Sequence, residues 1–202
     1  MYYFKVKNGD STPCGVGVIR LGDARAMASF NEHLRVCLQT RLSSSIQSLW
    51  PDGQAAERYW QLESVPMVKS MGFRPLCATL LPNSGESPSV SLLKGLYASI
   101  KRKPPADQSD FPGAIRHWAR DFQRVRTFGV LMLLEMDAWA GNAWSNDVAA
   151  FRAMKQTFET ELFVIFACSS QQAFSSLFAR YEEPLYREGA TVIVDAKGNS
   201  TT

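Results

Sequence analysis

Two uninterrupted apolar runs set the limits on what this chain can fold into: TFGVLMLLE at 127–135 and LFVIFAC at 162–168. Each falls far short of the ~20 residues that span a bilayer, so neither is a membrane segment. Each is apolar on both faces of an extended backbone, so it needs cover on both sides. RPLCATLLP at 74–82 and ATVIVD at 190–195 are of the same kind. Helical spacing fills the intervals: Met27, Phe30, Leu34 and Leu38 recur every three or four residues, and PSVSLLKGLYASI, FPGAIRHWARDFQRV and QQAFSSLFARY read as further helices. Strands alternating with helices predict an α/β fold, a mostly parallel sheet flanked by helices on both faces. The strands are expected near 14–18, 75–81, 128–135, 162–168 and 191–195. Residues 43–72 read as mixed, with one short helix around QAAERYWQLE that Pro51 and Pro66 interrupt.

At 202 residues the chain is long enough for one domain with its own core. The expected organisation is an N-terminal strand and extension at 1–13, the α/β domain at 14–195 and a tail at 196–202. A net charge of +3 permits nucleic-acid binding without requiring it. Cys14, Cys37, Cys77 and Cys168 form no C-x-x-C pair, which points to reduced thiols in a cytoplasmic protein and away from a zinc site. No metal site is expected, and no membrane partner.

Ligands of parallel sheets sit at the carboxyl ends of the strands. Three loops are expected to converge there: 17–24, 135–141 and 168–171. The first carries Gly17-Val-Ile-Arg20-Leu-Gly22-Asp23-Ala24, which has the spacing of the phosphate-binding motif G-x-x-x-x-G-K-[ST]. Asp23 stands at the lysine position and Ala24 at the Mg²⁺-binding hydroxyl. Two glycines at this spacing are also an ordinary strand-to-helix turn, with Asp23 as the cap of the helix that follows.

In their order along the chain, these pieces resemble an AAA+ P-loop ATPase of the TniB/TnsC type, the regulators of DNA transposition. CGVGVIRLGDARAMASF resembles that family's Walker A segment and RTFGVLMLLEMDAW its Walker B strand. LFVIFACSSQQAF resembles the sensor-1 strand, and LFARYEEPL the segment that carries the arginine finger. The resemblance places Gly17, Arg20, Gly22, Asp23 and Ala24 at the nucleotide, and Glu135, Met136 and Asp137 at Walker B. It places Ser169 and Ser170 at sensor 1, and Arg180 at the finger. It implies an AAA+-like core without the helical lid.

The departures point away from hydrolysis. Met136 falls at the catalytic glutamate, and Asp23 reverses a charge that neutralises the β- and γ-phosphates. No catalytic residue is assigned, and ATP–Mg²⁺ binding is expected to be weak or absent. The resulting reading is a catalytically inactive regulator or adaptor in a transposition or mobile-element assembly. Its partner would be an active AAA+ paralogue, other transposition proteins or a second copy of itself. A residual nucleotide-binding NTPase and a plain interaction module are the alternatives. Arg180 is either a finger or a helix-end cation. Lys101, Arg102, Lys103, Arg116, Arg120 and Arg124 either contact DNA phosphates or form a solvated face.

Overall fold

A computed structural model of the chain describes residues 19–22, 24–41, 43–81, 85–105, 107–178, 185 and 190–195. Strand β1 (Ile19–Gly22) leads to helix α1 (Ala24–Thr40), and β2 (Ser45–Leu49) to α2 (Gly53–Tyr59). A π-turn (Trp60–Ser64) joins α2 to α3 (Val65–Ser70), and β3 (Arg74–Thr79) precedes α4 (Pro88–Ser99) and α5 (Phe111–Gln123). Strand β4 (Gly129–Leu134) opens into a 3₁₀ turn (Met136–Trp139), followed by α6 (Ser145–Thr157), β5 (Leu162–Cys168), α7 (Gln171–Phe178) and β6 (Ala190–Asp195).

The six strands form one sheet in the order β1-β6-β2-β5-β4-β3, and all five pairings are parallel. Every residue of β4 and β5 is buried, as their unbroken apolar runs require. Their side chains alternate between two cores. Leu131, Leu133, Val164 and Phe166 pack with α4, α5, α6 and α7 on one face. Val130, Met132, Phe163 and Ile165 pack with α1, α2 and α3 on the other. The expected fold class therefore holds, with helices covering both faces.

Three local expectations are corrected. Residues 45–49 form a strand, β2, in the middle of the sheet. Its sequence SIQSL hides this, because Ser45, Gln47 and Ser48 are buried polar side chains. Ser48 Oγ donates to the Phe166 carbonyl (2.8 Å) and accepts from Trp50 Nε1 (2.8 Å), so the polar group is satisfied inside the sheet. Pro66 does not end the helix: it lies in the first turn of α3, and the wider π-turn before it accommodates a residue without an N–H. The strand expected at 14–18 lies outside the described residues, and β1 instead occupies four residues of the segment read as loop.

Candidate functional site

The sheet order creates one topological switch point. From β2 the chain passes to α2 on one face, and from the neighbouring β5 it passes to α7 on the other. In open α/β sheets such a divergence leaves a crevice at the carboxyl ends of the two strands. Three short connections line it: 50–52 after β2, 135–139 after β4, and 169–170 after β5.

Each connection has a physical reason for its shape. Asp52 caps α2, its carboxylate accepting from the Ala55 N–H at 2.6 Å. The Trp50 N–H donates to the Cys168 carbonyl at 2.8 Å, which holds the first connection against the third. Glu135 turns the chain off β4 with left-handed backbone angles (φ 58°, ψ 41°). Asp137 then reaches across to the end of β5. Its Oδ2 accepts from the Ser169 N–H (2.8 Å) and hydroxyl (3.0 Å), and its Oδ1 from the Ser170 N–H (2.8 Å). Ser170 in turn caps α7 through Ala173 (3.3 Å).

The Glu135 carboxylate lies directly over Gly53, the first residue of α2. A Cβ added to Gly53 would stand 1.6 Å from Glu135 Oε1, so a side chain there would push the flexible end of the acid aside. Burial, with Asp137 and then Asp52 as like-charged neighbours, raises the Glu135 pKa above the ordinary carboxylate value. Burial, reinforced by Asp137 and Glu135, pushes the Cys168 thiol well above its usual range, so it supplies no thiolate nucleophile. A cleft of about 400 Å³ opens beside Asp137, lined also by Gly141, Ser170, Gln172 and Ser176, and its one charged side chain is the acid. Among the described residues no group of three His, Cys, Asp or Glu side chains is placed to hold a metal ion.

The structure thus brings Glu135, Asp137, Ser169 and Ser170 together, with Met136 buried beneath them. It does not bring the 17–24 segment to them. Among the described residues strand β1 is at the sheet edge, paired with β6 alone. Its end is about 14 Å from β5 and about 19 Å from β4 at normal strand spacing. The expected convergence of 17–24 with the other two loops is therefore corrected. Arg20, Gly22 and Ala24 lie within β1 and α1, whereas Gly17, Asp23 and Arg180 lie outside the described residues.

The strand–loop–helix unit at the switch point is β2–α2, which the sequence reading passed over. If Gly53 is taken as the second glycine of G-x-x-x-x-G-K-[ST], Ser48 stands at the first glycine, Gln54 at the lysine and Ala55 at the hydroxyl. Three residues, Trp50, Pro51 and Asp52, separate strand from helix. The one available signal was Asp52-Gly53 directly before a helical pattern, a helix start and not a phosphate loop.

An anion placed here meets Asp52, Glu135 and Asp137, with no facing cation among the described residues. At ~5 Å and an effective dielectric near 20, each unit charge pair costs about 3 kcal/mol. The raised pKa of Glu135 has a consequence for stability. The folded state holds that proton more tightly than the unfolded chain, so stability is fully present below the unfolded value of 4.5 and is lost as pH rises through the folded value. Glu135→Gln removes the ionisation. The variant is expected to melt above the parent at neutral pH and to converge with it on acidification, as read by thermal melts across pH.

The parallel sheet with helices on both faces matches the core fold of AAA+ P-loop NTPases. No protein-family model and no curated protein matches the sequence. Among solved structures the chain is similar to the Aeropyrum pernix ORC1 protein in complex with DNA (TM-score 0.56, 13% identity, covering 83% of this chain and 44% of that one). It is similar to the Aeropyrum pernix ORC2 protein in its ADP form (TM-score 0.55, 10% identity, 84% and 47%). A third similar structure is Drosophila ORC bound to AT-rich DNA and Cdc6 (TM-score 0.53, 11% identity, 83% and 53%). The likeness is one of fold, and the chain spans about half the length of these proteins.

Proposed function

We propose that the chain is a catalytically inactive, AAA+-like regulator or adaptor that works in DNA-bound assemblies in the cytoplasm, without ATP or Mg²⁺ of its own. The observation that carries this reading is the distribution of charge. At the carboxyl ends of the strands, where nucleotide would sit, the crevice presents Asp52, Glu135 and Asp137 and, among the described residues, no cation. The basic side chains collect towards the other end of the sheet. Lys101, Arg102 and Lys103 follow α4, and Arg116, Arg120 and Arg124 line the outer face of α5; all six are exposed.

Asp121, buried on α5, draws the two groups together. Its Oδ1 binds Arg102 at 3.4 Å and Arg124 at 3.2 Å. Six cations set against one shielded carboxylate form a surface suited to DNA phosphates. The solved structures of similar fold include ORC proteins bound to DNA, which supports the same class of partner. A transposition or mobile-element assembly, with an active AAA+ paralogue as the protein partner, is the narrower form of this proposal. It rests on the sequence segments that resemble the TniB/TnsC type.

Titration of a labelled DNA duplex at several salt concentrations tests it. Binding is expected to weaken steeply with salt, by about 0.9 log units per log unit of salt for each phosphate contacted. Arg116→Glu combined with Arg120→Glu is expected to weaken it by about tenfold or more, and ATP–Mg²⁺ to leave it unchanged. A duplex that does not bind, or ATP–Mg²⁺ that binds tightly to the purified chain, overturns the proposal.

A further inference from the structure

Among the described residues the sheet ends at β3, whose outer edge opens into a groove of about 470 Å³. Gln61, Val65 and Lys69 wall it on one face, Gly95 and Ala98 of α4 on the other, and Cys77 lies on its floor. Gly95 lets α4 approach this closely, since a Cβ there would stand 2.9 Å from that of Ala78. The Arg74 N–H donates to Phe128 (2.9 Å) and the Leu80 N–H to Leu134 (3.0 Å). By the alternation of a parallel ladder, residues 74, 76, 78 and 80 face β4, and 75, 77 and 79 face outward.

The outward groups form an unusual set. Pro75 offers a carbonyl and no N–H. Cys77 offers both, with no partner for either among the described residues. Thr79 offers its N–H, while its carbonyl shares the one Ser91 hydroxyl proton, at 3.2 Å, with the Leu81 carbonyl at 2.8 Å. This set complements itself. In an antiparallel pair centred on Cys77, the two Cys77 residues exchange both bonds, and each Thr79 N–H meets the Pro75 carbonyl of the other strand. The donor that Pro75 lacks would have faced the Thr79 carbonyl, which keeps its share of the Ser91 proton. Any register that places Pro75 opposite an open acceptor is penalised.

We infer that β3 pairs with β3 of a second copy of this chain about a two-fold axis at Cys77, extending the sheet across a homodimer. The charges along the groove agree. Glu57 stands near enough to Cys77 to help burial raise the thiol pKa to about 12. Lys69, three helical turns further on, lines the groove from the same run of helix. The two-fold brings the Glu57 end of one copy to the Lys69 end of the other. Such self-complementarity is what an isologous interface demands.

Sedimentation equilibrium of the full chain tests the pairing. The parent is expected to be a dimer. Cys77→Pro is expected to be a folded monomer that melts somewhat below the parent, having lost the stability linked to association, because residue 77 donates nothing to β4 and its replacement leaves the ladder intact. The exposed pair gives a second readout that leaves the backbone alone. Lys69→Glu is expected to weaken dimerisation by about tenfold, two like-charge contacts being created at once, and Lys69→Glu with Glu57→Lys to restore it. A parent that stays monomeric at every concentration overturns the inference. So does a dimer whose affinity ignores the charge exchange.

Discussion

Asp137→Ala is expected to lower the melting temperature by about 5–10 °C, from the loss of about 2–3 kcal/mol. The carboxylate holds three donors from the β5 connection, at 2.8, 3.0 and 2.8 Å. Hydrogen bonds to a charged acceptor are worth about 1.5–3 kcal/mol each. Ser170 is exposed and Ser169 half-buried, so water replaces most of what their three donors lose, and the net loss falls to about 2–3 kcal/mol. Asp137→Asn is expected to destabilise almost as much, because its amide turns one of the two accepting positions into a donor aimed at a backbone N–H. Circular-dichroism melts measure both. An Asp137→Ala variant that melts with the parent would show that the contacts between the 3₁₀ turn and β5 carry no stability. The same geometry bears on function. Asp137 follows the strand whose end would hold magnesium in a hydrolysing site, yet both of its oxygens already accept hydrogen bonds from the chain. Its work is to join β4 to β5.

The parts of this site that were legible are those that follow continuous apolar runs. GVLMLL and LFVIFAC could only be strands covered on both faces, so Glu135, Asp137, Ser169 and Ser170 had to lie at strand ends. The apolar period of α1 and the Phe-Pro start of α5 were equally plain, whereas the cap of that helix, Asp110, which accepts from the Gly113 N–H at 3.0 Å, was not read. The central strand was not legible. SIQSL lacks an apolar run because its serines find partners inside the sheet, a fact of tertiary pairing that local pattern does not carry. Once β2 was missed, the only glycine spacing left to suggest a phosphate loop was Gly17–Gly22, and sheet order alone shows that β1 stands at the edge. Asp52 was missed with it. Its carboxylate joins the crevice because β2 lies beside β5, a neighbour more than a hundred residues away in sequence.

The acidic turn depends in turn on what lies beneath it, and Trp139→Ala is expected to be the most damaging single change near the site. Trp139 is 1% exposed. Its ring meets Phe111 edge-on at 5.9 Å and Phe151 at 5.8 Å, and its Nε1 donates to Ser89 Oγ at 3.3 Å. That hydroxyl donates onward to the Asp147 carboxylate, so its one proton and a lone pair are both used. Truncation leaves a cavity among three helices and an unpaired hydroxyl lone pair, a loss of about 3–5 kcal/mol. For a domain of this size that is a fall of roughly 10 °C or more. Trp139→Phe keeps a ring against its neighbours and gives up the indole donor, for about 1–2 kcal/mol. Because Trp139 ends the turn that carries Asp137, the Ala variant should also loosen the β5 connection. Hydrogen exchange at the Ser169 and Ser170 amides is expected to quicken while β4 and β5 remain protected. Equal melting of the Ala and Phe variants, or unchanged exchange at those two amides, would detach the crevice from the core beneath it.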